Sequence, residues 1–333
     1  MEKIAILSTG TWGTALAKTL CEAGHKVTAW SPFESEINEL KRTGMHRNLT
    51  GVHLPSDILF TTSMEEALWD ASHIIVASPS TFVRGTASLL KEYVKKDQII
   101  STVAKGIEND TLYTMSEVIE DVLSDGHKVA ALSGPTHAEE VAVGIPTCIV
   151  SAAEDKETAE AVQRLFVGTC IRPYTNTDIK GVELCGALKN IEALACGIST
   201  GIGYGDNTRA AIITRGMSEI TRLGTAMGCS TGVFYGLAGI GDLIVTATSE
   251  HSRNNRCGRY IGSGMEVKAA IERVGMVVEG INALKGAMSL KEKYGVEMPI
   301  TETVNDVVNN GLSPRDAVDG LLSRRIRSEM LFS

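Results

Sequence analysis

An α/β fold is predicted for this 333-residue chain: a doubly wound parallel sheet in the N-terminal half and an all-α C-terminal half. Three observations carry that expectation. Short apolar runs alternate with helix-patterned segments as far as residue 176, a glycine-bearing turn joins the first run to the first helix, and strand signals stop after Asn176. Such alternation is the mark of a parallel sheet with helices on both faces. The length also exceeds what one hydrophobic core usually organises, so the change of pattern divides the chain into domains 1–178 and 179–333.

Taken in order, Ile4-Ala5-Ile6-Leu7 reads as a buried strand, 14–24 as a helix with Ala15, Leu16, Leu20 and Cys21 inward, and 25–30 as a second strand. Helix 33–42, strand 58–61, helix 63–69, strand 73–77, helix 83–94 and strand 98–103 follow. A helix over 112–123 leads to a strand over 128–132, then helix 137–143, strand 147–151, helix 156–166 and a last strand over 171–174. Beyond Asn176, helices are expected over 179–199, 206–228, 265–273, 278–294, 300–309 and 313–324. Two stretches interrupt them as loops. Gly236-Leu237-Ala238-Gly239-Ile240-Gly241-Asp242 is too glycine-rich for a helix, and His251-Ser252-Arg253-Asn254-Asn255-Arg256, with Arg259 beyond it, is a cationic cluster.

Bulk properties narrow the function. A net charge of −8 argues against general nucleic-acid or membrane-surface binding, which needs a positive field. Seven scattered cysteines without a C-x-x-C pair indicate neither a disulfide framework nor a zinc site. Met1-Glu2-Lys3 leads straight into the first strand, without the pattern of a signal peptide, and no apolar run reads as membrane-spanning. The expectation is a cytoplasmic enzyme.

The turn after the first strand, Ser8-Thr9-Gly10-Thr11-Trp12-Gly13, is a degenerate form of the G-x-G-x-x-G fingerprint of Rossmann-type dinucleotide-binding domains. Glycines let the backbone approach a pyrophosphate, which then sits on the helix N-terminus. Ser8 replaces the first glycine; a positive φ there costs about 1 kcal/mol. Ligands of such sheets bind beyond the carboxyl ends of the strands. Three polar clusters stand there: Ser78-Pro79-Ser80, Ala104-Lys105-Gly106 and Ser133-Gly134-Pro135-Thr136. Lys105 is placed to meet an anion, although a solvated loop lysine has the same pattern. Ser133 to Thr136 reads as a ligand-facing helix start or simply as an N-cap.

In the second half, Lys189 lies within the small, apolar helix segment 181–197, as either a snorkelling surface lysine or a buried one whose pKa burial would lower. Ser252, Arg253 and Asn254 offer the planar and point donors suited to a phosphate monoester, or else form an exposed basic helix start.

Together these segments are recognisable. The chain resembles the bacterial-type NAD(P)-dependent glycerol-3-phosphate dehydrogenases along nearly its whole length. The resemblance is carried by Trp12-Gly13-Thr14-Ala15-Leu16-Ala17, Lys105-Gly106-Ile107-Glu108, Ser133-Gly134-Pro135-Thr136-His137-Ala138-Glu139-Glu140-Val141 and Tyr174-Thr175-Asn176-Thr177-Asp178. It continues through 181–190, Gly203-Tyr204-Gly205-Asp206-Asn207, Ile213-Thr214-Arg215-Gly216, 239–243, Ser252-Arg253-Asn254, Val278-Glu279-Gly280 and Met298-Pro299-Ile300-Thr301-Glu302.

It implies hydride transfer between NAD(P)H and the middle carbon of dihydroxyacetone phosphate, giving sn-glycerol 3-phosphate for glycerophospholipid synthesis. It implies Lys189 as the catalytic acid/base, with Lys105, Gly134, Thr136, Asp242, Ser252, Arg253 and Asn254 around the substrate. Facing the dinucleotide it implies Thr11, Trp12, Lys105, Ala138, Arg253, Val277 and Glu279, which join Ser8, Gly10 and Gly13 of the turn. No metal is called for, because the cofactor carries the hydride. A homodimer is an expectation from the family alone.

The chain departs from the family pattern at Ser8, Thr11, Asn48, Glu192 and Ser31-Pro32-Phe33. The last stretch lacks the His or Arg that suits a 2′-phosphate, and no Asp or Glu stands at the strand end for a free ribose 2′-hydroxyl. The expected consequence is a weaker preference for NADPH than the family norm, with NADH accepted. Glu192, where the family is apolar, is expected to point away from Lys189 toward another partner or a subunit edge. Two alternatives remain: another dehydrogenase of the β-hydroxyacid/6-phosphogluconate group, or a dinucleotide-binding paralogue without turnover.

Overall fold

The computed structural model describes residues 1–124 and 126–325. Its described backbone forms two compact units: one of residues 1–108 and 113–183, the other of 109–112 and 184–325.

The first unit is built on eight strands: β1 (Lys3–Leu7), β2 (Lys26–Trp30), β3 (Leu59–Thr61), β4 (His73–Val76), β5 (Ile99–Thr102), β6 (Lys128–Ser133), β7 (Thr147–Ala153) and β8 (Ile171–Asn176). They lie side by side in the order β3-β2-β1-β4-β5-β6-β7-β8. Helices α1 (Thr11–Glu22), α2 (Glu34–Thr43), α3 (Met64–Leu68), α4 (Val83–Leu90), α5 (Met115–Leu123), α6 (Ala138–Ala142) and α7 (Lys156–Arg164) connect them. Side chains alternate across a strand, and β1 shows the consequence. Ile4 and Ile6 enter a core with Leu16 and Leu20 of α1, Val141 of α6 and Val162 of α7, whereas Ala5 and Leu7 enter another with Leu68 of α3, Val83 of α4 and Ile119 of α5. Both faces are covered, as the sequence pattern predicts.

The sheet is parallel except for β6 and β7, which pair antiparallel, Ala131 opposite Ala152. The helix between them, α6, has only five residues and rises about 7.5 Å, against roughly 20 Å for β6 at the usual strand rise. β8 pairs parallel to β7 after the longer α7.

The helical unit contains most of α8 (Ile179–Ile202), followed by α9 (Asp206–Ala226), α10 (Thr231–Phe234), α11 (Asp242–Thr248), α12 (Arg253–Gly262), α13 (Val267–Val274), α14 (Glu279–Tyr294), α15 (Pro299–Asn309) and α16 (Pro314–Leu322). The division between the units falls inside α8, between Glu183 and Leu184. α8 is buried along nearly all of its length, and glycine spacing makes that closeness possible. A Cβ on Gly197 would lie 2.2 Å from the Asn255 carbonyl and one on Gly201 2.3 Å from that of Arg259. In return, Gly258 and Gly262 leave room for the Leu194 and Ile198 carbonyls. Two helices with a glycine every fourth residue thus meet backbone to backbone.

Both stretches expected as loops are partly helical. Leu237–Gly241 forms a π-helical turn that runs directly into α11, and Arg253 opens α12, capped by the Ser252 hydroxyl, which accepts from Asn255 N. Glycine weakens helices in isolation, but Gly239 is required here: a Cβ would come 2.1 Å from the Phe234 carbonyl. By composition the 18-residue window Thr231–Thr248 is apolar enough to cross a membrane. The structure breaks it into α10, the π turn and α11.

Candidate active site

In the first unit the carboxyl ends of β1, β4, β5 and β6 carry the polar clusters. The strand order reverses between β1 and β4, which is where open α/β sheets bind ligands. Ser8 has φ 115, the conformation that the missing glycine would normally supply, and its hydroxyl accepts from Gly10 N at 3.3 Å. Gly13 must be glycine: a Cβ would sit 2.2 Å from the Ser8 carbonyl and 3.2 Å from the Ala77 Cβ. Strand, turn and helix are therefore as close as a dinucleotide fingerprint requires. α1 opens at Thr11 with Gly10 as N-cap and no side-chain cap, leaving backbone N–H groups available to an anion. Trp12 packs against the neighbouring apolar cluster of Ala15, Leu49 and Ala138, and Asn48 Nδ2 donates to Thr11 Oγ1 at 3.1 Å. This end of the unit fits the pyrophosphate of a dinucleotide.

Lys105, just past β5, donates through Nζ to the Gly134 carbonyl at 2.9 Å and to Thr136 Oγ1 at 3.2 Å. The sequence-predicted residues Lys105, Gly134 and Thr136 thus form one cluster. Gly134 has φ 148, and a Cβ there would press to 3.0 Å on the Ile149 Cα of the antiparallel neighbour β7. Ala138 is buried at the start of α6. A cleft of this unit lies elsewhere, at the start of β1 and β2 beside Lys3, Lys26 and Trp69, and none of these residues belongs to the fingerprint.

In the helical unit Lys189 is only 4% exposed. Its ammonium donates to Asp242 Oδ1 and, at 2.6 Å, to Thr246 Oγ1. Thr246 donates in turn to the Asp242 carbonyl one helical turn back, at 2.7 Å. Burial of a lone ammonium is expensive, and a hydrogen-bonded carboxylate is what makes it tolerable. The snorkelling alternative for Lys189 is therefore excluded. Asp242 and Thr246 stand at i and i+4 on α11. Sequence reading missed Thr246 because the stretch was expected to bend at Asp242; that spacing, on a helix, would have pointed to it.

α12 presents Ser252 as cap, Arg253 as first residue and Asn254 in its first turn. Asn254 is tied on both sides: Nδ2 donates to Asn190 Oδ1 at 2.9 Å, and Oδ1 accepts from Gly280 N at 2.9 Å. Gly280 follows Glu279, the first residue of α14, so one amide registers α8, α12 and α14, and Val277 and Glu279 with them. Arg259 donates instead to Asn255 Oδ1 at 2.9 Å, so it serves α12 itself rather than the Ser252 cluster.

Glu192 is not at a subunit edge. It is 1% exposed, beside Gly216 of α9, where a Cβ would fall 2.3 Å from its Oε2. Neither carboxyl oxygen has a hydrogen-bond partner. Burial, with the nearby Glu219 charge, holds its pKa well above the usual carboxylate range. Glu219 is also pushed up, to about 7, chiefly by burial, but it accepts from Ile300 N at 2.7 Å and Thr301 N at 3.2 Å at the start of α15. Those donors favour charge on Glu219, so the proton belongs on Glu192.

Comparison with known proteins adds to this geometry. The model of the NAD-dependent glycerol-3-phosphate dehydrogenase N-terminus matches residues 3–159, and that of the C-terminus matches 178–319. An NAD(P)+ glycerol-3-phosphate dehydrogenase of Lactobacillus delbrueckii subsp. bulgaricus is 53% identical over 335 residues, covering 99% of each chain. One from Agathobacter rectalis is 47% identical, covering 97% of this chain and 96% of its own. The crystal structure of glycerol-3-phosphate dehydrogenase from Coxiella burnetii is 34% identical, with a TM-score of 0.93 over 97% of this chain and 99% of that one.

Proposed function

Because the chain belongs to the NAD-dependent glycerol-3-phosphate dehydrogenase family, we propose that it catalyses the reversible reduction of dihydroxyacetone phosphate to sn-glycerol 3-phosphate with NAD(P)H. In a bacterial cytoplasm this supplies the glycerol phosphate of phospholipid synthesis. The observation that carries the reading is the buried Lys189 ammonium held by Asp242 and Thr246. It is a fixed cation in a low-dielectric setting, which is what a carbonyl reduction needs.

The bound nicotinamide supplies the hydride. As the carbonyl carbon is reduced, negative charge grows on its oxygen. Lys189 stabilises that oxygen by hydrogen bonding and passes it a proton from Nζ, becoming a neutral amine. In the oxidative direction the amine takes the proton of the secondary alcohol. Asp242 and Thr246 fix the head group, so no reorientation is needed during the step. Ser252 and Arg253, at the start of α12, are assigned to the phosphate, with Asn254 fixing their position. Phosphate binding energy orients the three-carbon fragment. In the first unit, the pyrophosphate is assigned to the N–H groups around Gly10, Thr11, Trp12 and Gly13, beside Ser8 and Ala138, and the Lys105, Gly134 and Thr136 cluster to further substrate contacts. Val277 and Glu279 complete the dinucleotide contacts in the helical unit.

The test is to follow nicotinamide absorbance with dihydroxyacetone phosphate and each reduced cofactor, for the native protein and Lys189→Ala. The expected result is turnover that the substitution abolishes while the dinucleotide still binds. A fully active Lys189→Ala protein would remove this lysine from the mechanism, and no turnover with either cofactor would overturn the activity.

A further inference from the structure

The end of β2 carries an acid that the local sequence hides. Ser31 follows the strand directly, and its hydroxyl donates to Glu36 Oε2 at 2.9 Å. Thr9, in the turn after β1, donates to the same oxygen at 3.1 Å. Glu36 comes from the first turn of α2, whose path folds its carboxylate back over the ends of β1 and β2. Ser31 and Thr9 are both buried, so the two hydroxyls that aim this carboxylate are themselves fixed. The expectation that no acid stands at this strand end is thus corrected: it arrives from the helix, about 20 residues beyond the glycine turn, as in dinucleotide-binding domains that hold a free ribose.

We propose that Glu36 is the cofactor-selecting residue of this chain, accepting the adenosine ribose 2′-hydroxyl and opposing a 2′-phosphate, so that NADH is favoured over NADPH. This rests on the dehydrogenase reading above and goes beyond the undifferentiated NAD(P) of the related proteins. The chemistry is one of acceptor capacity. An ionised carboxylate only accepts, and both neighbouring hydroxyls already spend their protons on it. A ribose hydroxyl brings a further donor, to which a carboxylate still has lone pairs to offer. A 2′-phosphate brings more negative charge and no donor, and the Thr9 and Ser31 hydroxyl protons are already given to Glu36. The cleft beside Glu36 also contains Glu39, His46 and Arg47. Glu39 adds to the repulsion. His46 is held below its ordinary pKa, by burial first and then by the Arg47 charge, so its ring is neutral in neutral solution. Arg47 is exposed and is the single cation of that cleft able to favour a phosphate.

The experiment is equilibrium binding, without turnover, of NADH and NADPH to the intact native protein, Glu36→Gln and Arg47→Ala. ADP-ribose and its 2′-phosphorylated form serve as probes lacking nicotinamide. The native protein is expected to bind NADH at least about tenfold more tightly than NADPH, because a like charge is being brought against Glu36. Glu36→Gln should cut that ratio about tenfold, mostly by tightening NADPH, and the adenosine probes should show the same change. Added salt should narrow the ratio in the native protein, since screening weakens repulsion at a partly exposed site, and this readout needs no variant. Equal affinities in the native protein, or an unchanged ratio in Glu36→Gln, overturn the proposal while leaving the dehydrogenase reading intact. A native preference for NADPH that Arg47→Ala abolishes would assign selection to Arg47 instead. Failure of every probe to bind would bring down the dinucleotide reading itself.

Discussion

Lys189 and Glu192 stand on the same helix, less than one turn apart, and both are buried. Lys189 meets a carboxylate and a hydroxyl on α11. Glu192 meets a glycine of α9 and a second carboxyl, with no hydrogen bond to either oxygen. The first arrangement keeps a charge inside the protein because a partner of opposite sign replaces water. In the second, the proton cancels the charge because neither oxygen has a hydrogen-bond partner among the described residues. A buried ionisable residue is therefore not by itself a sign of catalysis; the partner decides which state it holds. Of these two, only Lys189 has the fixed charge that the proposed chemistry uses.

That contrast can be broken from either side. The largest effect is expected from Lys189→Met, which should lower kcat about 10²–10⁴-fold, the range of a lost acid/base, while circular dichroism and dinucleotide affinity stay near native. Next, Asp242→Asn leaves the ammonium without its carboxylate. It should cost about 3–5 kcal/mol in denaturant unfolding and depress kcat as well; an unchanged midpoint would show that the ion pair does not stabilise this unit.

Glu192→Leu should act in the opposite direction. Glu192 and Glu219 keep folded-state pKa values above the ordinary 4.5, whereas the unfolded chain releases those protons near 4.5. Unfolding then releases protons, so stability is greatest below the unfolded value and falls as pH rises from 4.5 through about 7, where Glu219 titrates in the folded protein. Removing Glu192 should flatten that fall and raise stability above pH 7 by about 1–2 kcal/mol. Parallel stability curves for the native and Glu192→Leu proteins would contradict the shared-proton account. The smallest effect belongs to Thr246→Val, which removes one hydrogen bond from the lysine head but keeps the carboxylate. A loss of about 1 kcal/mol is expected, with kcat reduced far less than by Lys189→Met.

Local signals made much of this legible. The alternation of strands and helices showed in residue 1–176 patterning because the central strands β1, β4 and β5 are apolar on both sides, and Ser8-Gly10-Gly13 marked the turn because close backbone approach restricts side chains there. Lys105, Gly134 and Thr136 each followed an apolar strand, which put them at the sheet's carboxyl edge before any coordinates. The helices over 237–262 were less legible: Gly239, Gly258 and Gly262 look like breakers in isolation, yet each is where another backbone presses to within van der Waals contact. The antiparallel turn of β7 was likewise hidden, since apolar strands look alike in either direction.

The sequence by itself determined the architecture, the family and the identity of Lys189 as the residue to test. Periodicity, glycine spacing and ordered motifs are local properties that survive without coordinates. Tertiary structure alone decided which groups share a charge or a proton: Asp242 and Thr246 with Lys189, Glu219 with Glu192, and Glu36 with Thr9 and Ser31. These pairings join residues from different helices and loops, and their energies depend on burial and on distances of a few ångströms, which no one-dimensional pattern records.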